Sequence, residues 1–236
     1  TFDEHGYCNY CTSALNSLPY TYFPNEEGEQ RLNALLAKIK QEGKGKEYDC
    51  LMGISKGLDS VYLAYLGAVK WGLRIYAIHV NDGFNTEIAE KNIKDLCEKA
   101  KIHLDIITPD SVQFNDLTRA YLFASVPNIV VPQDNLIFSH LYKIAKEKNI
   151  KSFLSGTNFA LECILENGNT HGAFDVANIK DIYKKFGRQK RINIPLMSLV
   201  RHRITSRILN IETFLPLNFI NYNREEAIQE LHEFSG

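Results

Sequence analysis

Residues 48–60 read YDCLMGISKGLDS and combine three local signals that decide the fold around them. Residues 48–54 are mostly apolar, which is typical of a buried strand. A loop of small and polar residues follows at 55–60, and apolar residues at helical spacing occupy 61–70. A strand, a tight loop and a helix start in this order direct backbone N–H groups and the helix dipole at an anion. We therefore expect residues 55–60 to bind a phosphate.

The composition is that of an ordinary globular protein, with 236 residues, 44% hydrophobic and 23% charged. The formal net charge of −1 argues against a broad nucleic-acid-binding surface, so we do not expect a nucleic-acid partner. No run of about 18 apolar residues is present, and we expect no membrane span. The odd number of five cysteines fits a reducing compartment, which predicts a cytoplasmic protein.

The first 25 residues form a turn-rich segment that contains the pair Cys8 and Cys11. Two thiolates at this spacing can share one tetrahedral Zn²⁺, so the pair suits a small zinc knuckle. One pair supplies only half of the ligands, and the sequence has no second CxxC. Two free thiols are the alternative. We divide the chain into this N-terminal segment, residues 1–25, and a domain over residues 26–236.

Strand and helix signals alternate along the domain. The predicted strands cover 48–54, 73–80, 104–108, 152–155 and 192–197. The predicted helices cover 26–42, 61–71, 86–100, 111–125, 134–149, 175–186, 198–210 and 223–234, with Asp134 as the cap of the fifth. Strands that alternate with helices across short links indicate a parallel sheet covered on both faces. The sequence therefore predicts an α/β, Rossmann-like fold with a five-stranded parallel sheet.

Ligands of such sheets bind beyond the carboxyl ends of the strands. Here those ends fall at residues 55–60, 79–85, 155–162 and 193–198. Their polar side chains are Ser55, Lys56, Asp59, Ser60, His79, Asn81, Asp82, Asn85, Thr157, Asn158 and Glu162. Hydroxyl groups and loop N–H groups suit a pyrophosphate, and Asp59 predicts a Mg²⁺ ion between itself and the phosphates. Helix capping by Asp59 or Ser60, and a purely structural His79, are the alternatives.

Three motifs, GISKGLDS at 53–60, HVNDG at 79–83 and SGTN at 155–158, resemble the PP-loop ATP pyrophosphatase superfamily. Lys56 stands where the SGGxDS loop of that superfamily has its first glycine. Longer stretches are similar to the N-acetyl sugar amidotransferases of bacterial surface-polysaccharide, O-antigen and nonulosonic acid biosynthesis. These stretches are TFDEHGYCNYC at 1–11, YDCLMGISKGLDSVYLAYL at 48–66, HVNDGFNTEIAEKNI at 79–93, ASVPNIVVPQD at 124–134, LSGTNFALECIL at 154–165 and NYNREEAIQEL at 221–231.

The narrower resemblance implies an ATP-dependent amidotransferase that uses Mg²⁺. Such an enzyme converts an acetamido group of a nucleotide-linked diacetamido sugar to an acetamidino group through an adenylylated intermediate. It implies ammonia from a partner glutaminase, delivered through a cyclase-like subunit. It also implies a structural zinc site at Cys8 and Cys11, with the other half of the ligands upstream of Thr1.

The resemblance further implies roles for individual positions. The nucleotide would contact Gly53, Ile54, Ser55, Lys56, Gly57, Leu58, Asp59, Ser60, His79, Asn81, Gly156 and Thr157. Among these, Asp59 would also ligate Mg²⁺, and His79 and Asn81 would lie beside the adenosine. The catalytic set would be Asp59, Ser60, Asn158 and Glu162, with the last two facing the reacting group or the metal.

Lys56 opens alternatives to this interpretation. A glycine there can take positive φ, which costs a lysine about 1 kcal/mol or more. The lysine adds a cation for the phosphates in one interpretation, and in another it blocks the pocket of an impaired nucleotide-binding subunit. A third alternative is a PP-loop enzyme that thiolates or ligates tRNA, favoured by the basic run at 184–207.

Overall fold

The computed structural model describes residues 2–163, 171–189 and 191–236. Five parallel strands form one sheet in the spatial order β3-β2-β1-β4-β5. The strands are β1 (Cys50–Gly53), β2 (Ile75–Val80), β3 (His103–Ile107), β4 (Ser152–Leu154) and β5 (Glu212–Phe214). The strand order reverses between β1 and β4, which places the topological switch point there. The predicted α/β, Rossmann-like class is confirmed.

Helices cover both faces of this sheet. They are α1 (Asn9–Thr21), α2 (Glu26–Glu42), α3 (Leu58–Tyr65), α4 (Glu87–Lys99), α5 (Ser111–Phe123), α6 (Val131–Lys148), α7 (Phe159–Glu162), α8 (Val176–Phe186), α9 (Leu199–Leu209) and α10 (Arg224–Ser235). Strand β1 shows how the two faces are filled: Cys50 and Met52 pack with α2, α3, α4 and α10, whereas Leu51 packs with α6. Burial on both sides explains why β1 is continuously apolar. None of the described helices is long and apolar enough to cross a membrane.

The predicted strand at 192–197 is wrong. Side chains of neighbouring helices satisfy its backbone: Asn135 bonds both the N–H and the carbonyl of Met197, and Gln113 accepts from the N–H of Asn193. Ile194 and Met197 are buried by packing on α5, α6 and α8 rather than by strand pairing. The fifth strand is β5, a short, largely exposed edge strand beside β4.

Two helix predictions also need correction. Residues 9–21, predicted as turns, form α1, whose first turn is capped by the Cys8 sulfur and whose side chains are not buried. Helix α6 begins at Val131, with Pro132 in its first turn, where proline is well tolerated. Asp134 is therefore not the cap of α6 but lies inside its first turn, where it faces the carboxyl end of the sheet.

Candidate active site

The loop between β1 and α3 is closed on itself by its two serines. The N–H of Ser55 donates to the Ser60 Oγ at 3.0 Å, and the N–H of Gly57 donates to the Ser55 Oγ at 3.1 Å. The Ser60 hydroxyl also donates to the Gly57 carbonyl at 3.1 Å. These bonds hold the loop in one shape, directly before the free N–H groups of the first turn of α3. The structure thus places an ordered loop at a helix start where the sequence predicted an anion-binding loop, and anion binding itself stays a prediction.

Gly156, after β4, touches this loop from the other side of the switch point. A Cβ atom at Gly156 would lie 2.9 Å from the Ser60 nitrogen and 3.1 Å from the Asp59 carbonyl carbon. Backbone contact this close leaves no room for a side chain at residue 156 unless the loop shifts. The loops after β1 and β4, which the sequence assigned to one site, therefore meet in space.

A cavity of about 470 Å³ opens between these loops and α6, a volume in the range of small-molecule sites. The predicted residues that line it are Gly53, Ser55, Gly57, Asp59, Ser60, Gly156, Thr157 and Glu162. Three apolar side chains of α6, Ile137, Phe138 and Leu141, form the facing wall together with Asp134. We call this space the loop cavity. Asn193 and Pro195 of the predicted fourth rim loop line a different cavity, at the end of β3.

Asp59 lines the loop cavity, and its carboxylate is held by a hydrogen bond from Tyr222, a residue that the sequence did not single out. The Tyr222 hydroxyl donates to the Asp59 carboxylate, and the Tyr222 ring stacks on Tyr62 with centroids 5.7 Å apart. Burial, followed by the hydrogen bond to Asp59, raises the pKa of Tyr222 well above its ordinary value. Tyr222 lies in the NYNREEAIQEL stretch that carries part of the family resemblance. Its contact with Asp59 could not be predicted, because the two residues are 163 positions apart in the sequence.

Asn158 and Glu162, predicted together as catalytic, have different surroundings. Asn158 is 2% exposed, and its side chain caps α7 by accepting from the Leu161 N–H at 2.9 Å. It also donates to the Gly156 carbonyl at 3.2 Å, so it shapes the loop and does not line the cavity. Glu162 does line the cavity; burial raises its pKa, and the negative charge of Asp59 adds to that effect.

Asp59 and Glu162 fit a Mg²⁺ ion. They line one cavity beside the loop predicted to bind phosphate, and proteins hold Mg²⁺ by one or two carboxylates together with substrate phosphates. The described residues contain no group of three or more acidic, histidine or cysteine side chains that could hold a metal alone. Phosphate oxygens would therefore complete the coordination.

His79 and Asn81 are held by the protein itself. The buried His79 ring lies with Nδ1 at 2.8 Å from the Ile54 carbonyl oxygen and with Nε2 at 3.0 Å from the Asn85 amide nitrogen. Asn81 accepts from the Gly83 N–H at 3.1 Å. His79 and Asn81 do not line the loop cavity, and their place beside an adenosine stays a prediction. His79 and Ile54 join the ends of β1 and β2.

Lys56 leaves the loop cavity free. Its Nζ lies 3.5 Å from Asp82 Oδ1, on the α4 side of the loop, and Asp82 also accepts from the Phe84 N–H at 3.0 Å. The backbone of Lys56 does not adopt a positive φ, so the strain expected for a lysine at this position does not occur. The neighbouring Leu58 packs its side chain against the core and contributes only backbone to the loop.

The N-terminal cysteines lie close together at the start of α1. Their sulfur atoms are 3.4 Å apart, and the Cys8 sulfur accepts from the Cys11 N–H. Hydrogen bonds from Cys11 lower the pKa of the Cys8 thiol. The part of the chain that the structure describes brings no third ligand to this pair, so the two thiols would supply half of the ligands of the predicted zinc site. Zinc stays a prediction.

No protein-family model and no curated protein matched the sequence. Solved structures did match. An NH3-dependent NAD synthetase from Campylobacter jejuni is 18% identical, with 87% of this chain and 83% of that chain covered and a TM-score of 0.43. An NMN synthetase from Francisella tularensis is 18% identical, with 88% and 92% covered and a TM-score of 0.42.

A U34-tRNA thiolase from Methanococcus maripaludis, solved with its [4Fe-4S] cluster, is 16% identical. The match covers 87% of this chain and 65% of that chain, with a TM-score of 0.42. Similarity of this degree supports no conclusion about the activity of this chain. The function is therefore argued from the loop cavity and its residues.

Proposed function

We propose that this protein is an ATP-dependent amidotransferase, which converts an acetamido group of a nucleotide-linked sugar to an acetamidino group. The observation that carries the proposal is the meeting of two loops at the switch point. Ser55, Asp59 and Ser60 face the same cavity as Gly156 and Glu162. A serine-closed loop at a helix start suits phosphate, and facing carboxylates suit the metal that accompanies it.

The chemistry needs such a site because an amide oxygen is a poor leaving group. Attack of the amide oxygen on the α-phosphorus of ATP forms a C–O–P linkage and releases pyrophosphate. Ammonia then attacks the former amide carbon. The C–O bond breaks, and its electron pair leaves with AMP. Loop N–H groups with the hydroxyls of Ser55 and Ser60 would hold the phosphates. Mg²⁺ held by Asp59 and Glu162 would neutralise their charge.

The sugar, the pathway and the ammonia source rest on the sequence resemblance. It supports a place in bacterial surface-polysaccharide synthesis, a cytoplasmic location, and ammonia from a glutaminase through a cyclase-like subunit. The tRNA alternative depends on the basic run at 184–207. Within its described part, the basic residues of α9, Arg201, Arg203 and Arg207, lie away from the loop cavity. We therefore keep tRNA as an outcome of the test.

The first prediction is that AMP forms only when ATP, MgCl2, ammonium chloride and a nucleotide-linked diacetamido sugar are all present. Asp59→Asn should lower kcat by about 100-fold, because it removes a charge from the metal and phosphate site. Asp181→Asn, on the exposed surface of α8, is the matched control and should leave kcat unchanged. AMP formation that requires tRNA instead of any such sugar would show that the proposal is wrong.

A further inference from the structure

Asp134 is the one acidic residue of the loop cavity to which the proposed reaction has given no role. It lies in the first turn of α6, on the wall opposite the phosphate-binding loop, beside Ile137 and Phe138. Its side chain has no hydrogen bond and no ion pair with any of the residues that the structure describes. A carboxyl group placed among apolar side chains without a partner is costly, and this cost points to a use.

The other charged side chains that line the loop cavity are both acidic. They come from Asp59 on α3 and Glu162 on α7, and no lysine, arginine or histidine is among the described residues lining the cavity. Asp59 is bonded by Tyr222, and Glu162 accepts from the Asn158 N–H at 3.3 Å, whereas Asp134 has neither kind of contact. Asp134 is therefore the one carboxyl group of the cavity lining without a hydrogen-bond partner among the described residues.

We propose that Asp134 is a catalytic residue that accepts a proton from ammonia as ammonia attacks the adenylylated amide. This inference rests on the proposed function. The nitrogen lone pair of ammonia forms the new C–N bond, and the attacking nitrogen becomes positively charged. One of its protons moves to the Asp134 carboxylate. The C–O bond to the adenylate then breaks, AMP departs with the electron pair, and the amidinium product remains.

Two properties of the site suit this role. Burial raises the pKa of Asp134 to about 6, which makes it a better proton acceptor than an exposed aspartate while leaving it ionised at neutral pH. A cavity whose described lining is acidic and has no basic side chain also attracts ammonium, the main form of added ammonia in solution at neutral pH.

The second prediction separates the two half-reactions. In Asp134→Asn, the ammonium-dependent formation of AMP and amidine at pH 7 should fall by about 100-fold. Exchange of labelled pyrophosphate into ATP, measured with the sugar and without ammonium, should stay within about twofold. Hydroxylamine is uncharged at pH 7 and has less need of a base, so it should restore most of the rate. Glu147→Gln, an exposed carboxylate on the same helix, is the control.

Each outcome has a distinct meaning. A wild-type protein that forms no AMP overturns the proposed function and this inference with it. An active wild type with an equally active Asp134→Asn overturns only the inference, as does a variant that loses pyrophosphate exchange and ammonium-dependent turnover to the same extent. Wild-type turnover itself gives a second measurement. The turnover rate, divided by the concentration of free ammonia, should decrease when the pH is lowered below about 6, whereas the rate of pyrophosphate exchange should not.

Discussion

The Lys56 ammonium group lies beside Asp82 and outside the loop cavity, which argues against an enzyme blocked by its own lysine. The third prediction is that Lys56→Gly and Lys56→Met leave kcat for AMP formation within about twofold of wild type. The Lys56 side chain is 34% exposed, but Asp82 is buried and would keep only its bond from the Phe84 N–H, so loss of the pair should lower the free energy of unfolding by about 1–3 kcal/mol. The glycine should cost up to about 1 kcal/mol more. Steady-state rates and urea denaturation measure both effects.

A different result would revive the alternative. A rise in turnover of tenfold or more in Lys56→Gly, without the same rise in Lys56→Met, would indicate that a glycine conformation is needed in the loop. Such a result would favour the impaired nucleotide-binding subunit.

Single residues also show where sequence reasoning stops. Ser55, Asp59, Ser60 and Glu162 could be placed in one cavity from strand ends alone, because parallel strands end at one edge of a sheet. Asp134 could not be placed there, because a polar residue near the start of a helix pattern looks like a cap. Whether such a residue caps the helix or faces a cavity depends on tertiary packing, and the periodicity of apolar residues does not predict that packing.

At the scale of elements, the contact between the β4–α7 loop and the start of α3 holds the site together. The fourth prediction is that Gly156→Ala, whose Cβ would meet the Ser60 backbone at 2.9 Å, displaces the loop. We expect a loss of stability of about 1–3 kcal/mol and a loss of kcat of at least tenfold. Gly172→Ala, where a Cβ meets nothing within 4 Å, is the control and should match wild type in both measurements. Equal behaviour of the two variants would contradict this view of the loop contact.

Elements differ in how well the sequence predicts them, and the reason is burial. Strands β1 and β2 are buried on both faces, so their apolar runs are unambiguous. Strand β5 is a short, exposed edge strand with no such run, whereas the apolar residues at 192–197 are buried by helices. An apolar run shows that its residues are buried, but it does not show whether the run itself forms a strand.

At the scale of the whole molecule, the segment before α10 connects distant parts of the site. Asn218 accepts from the Phe159 N–H at 2.7 Å through its side chain and from the Phe23 N–H at 2.8 Å through its carbonyl. Four residues later, Tyr222 bonds Asp59. One short stretch thus fixes the start of α7 and the carboxylate of α3, so the site is a product of the complete fold rather than of the loop alone.

The fifth prediction concerns stability and pH, and it follows from the burial of Asp134. Its pKa is about 6 in the folded protein, above the value of about 4 for an unfolded chain. Between these values the folded state keeps a proton that the unfolded state loses, so the free energy of unfolding falls as pH rises from about 4 to 6. Asp134→Asn removes this loss. It should match wild type near pH 4 and be more stable at pH 7, by about 1–3 kcal/mol.

Comparison of wild type with Asp134→Asn separates the effect of Asp134 from that of carboxyl groups whose pKa is lowered by folding. Burial alone would raise the pKa of Asp116, but hydrogen bonds from Arg188, Tyr183 and Gln189 lower it, so its contribution is lost only as pH falls below about 4. That contribution is common to wild type and variant and cancels in their difference. Urea denaturation at pH 4, 5, 6 and 7 should therefore show a difference that grows with pH. A constant difference would place Asp134 in a solvated site, where it would have neither this cost nor the proton affinity that the reaction requires.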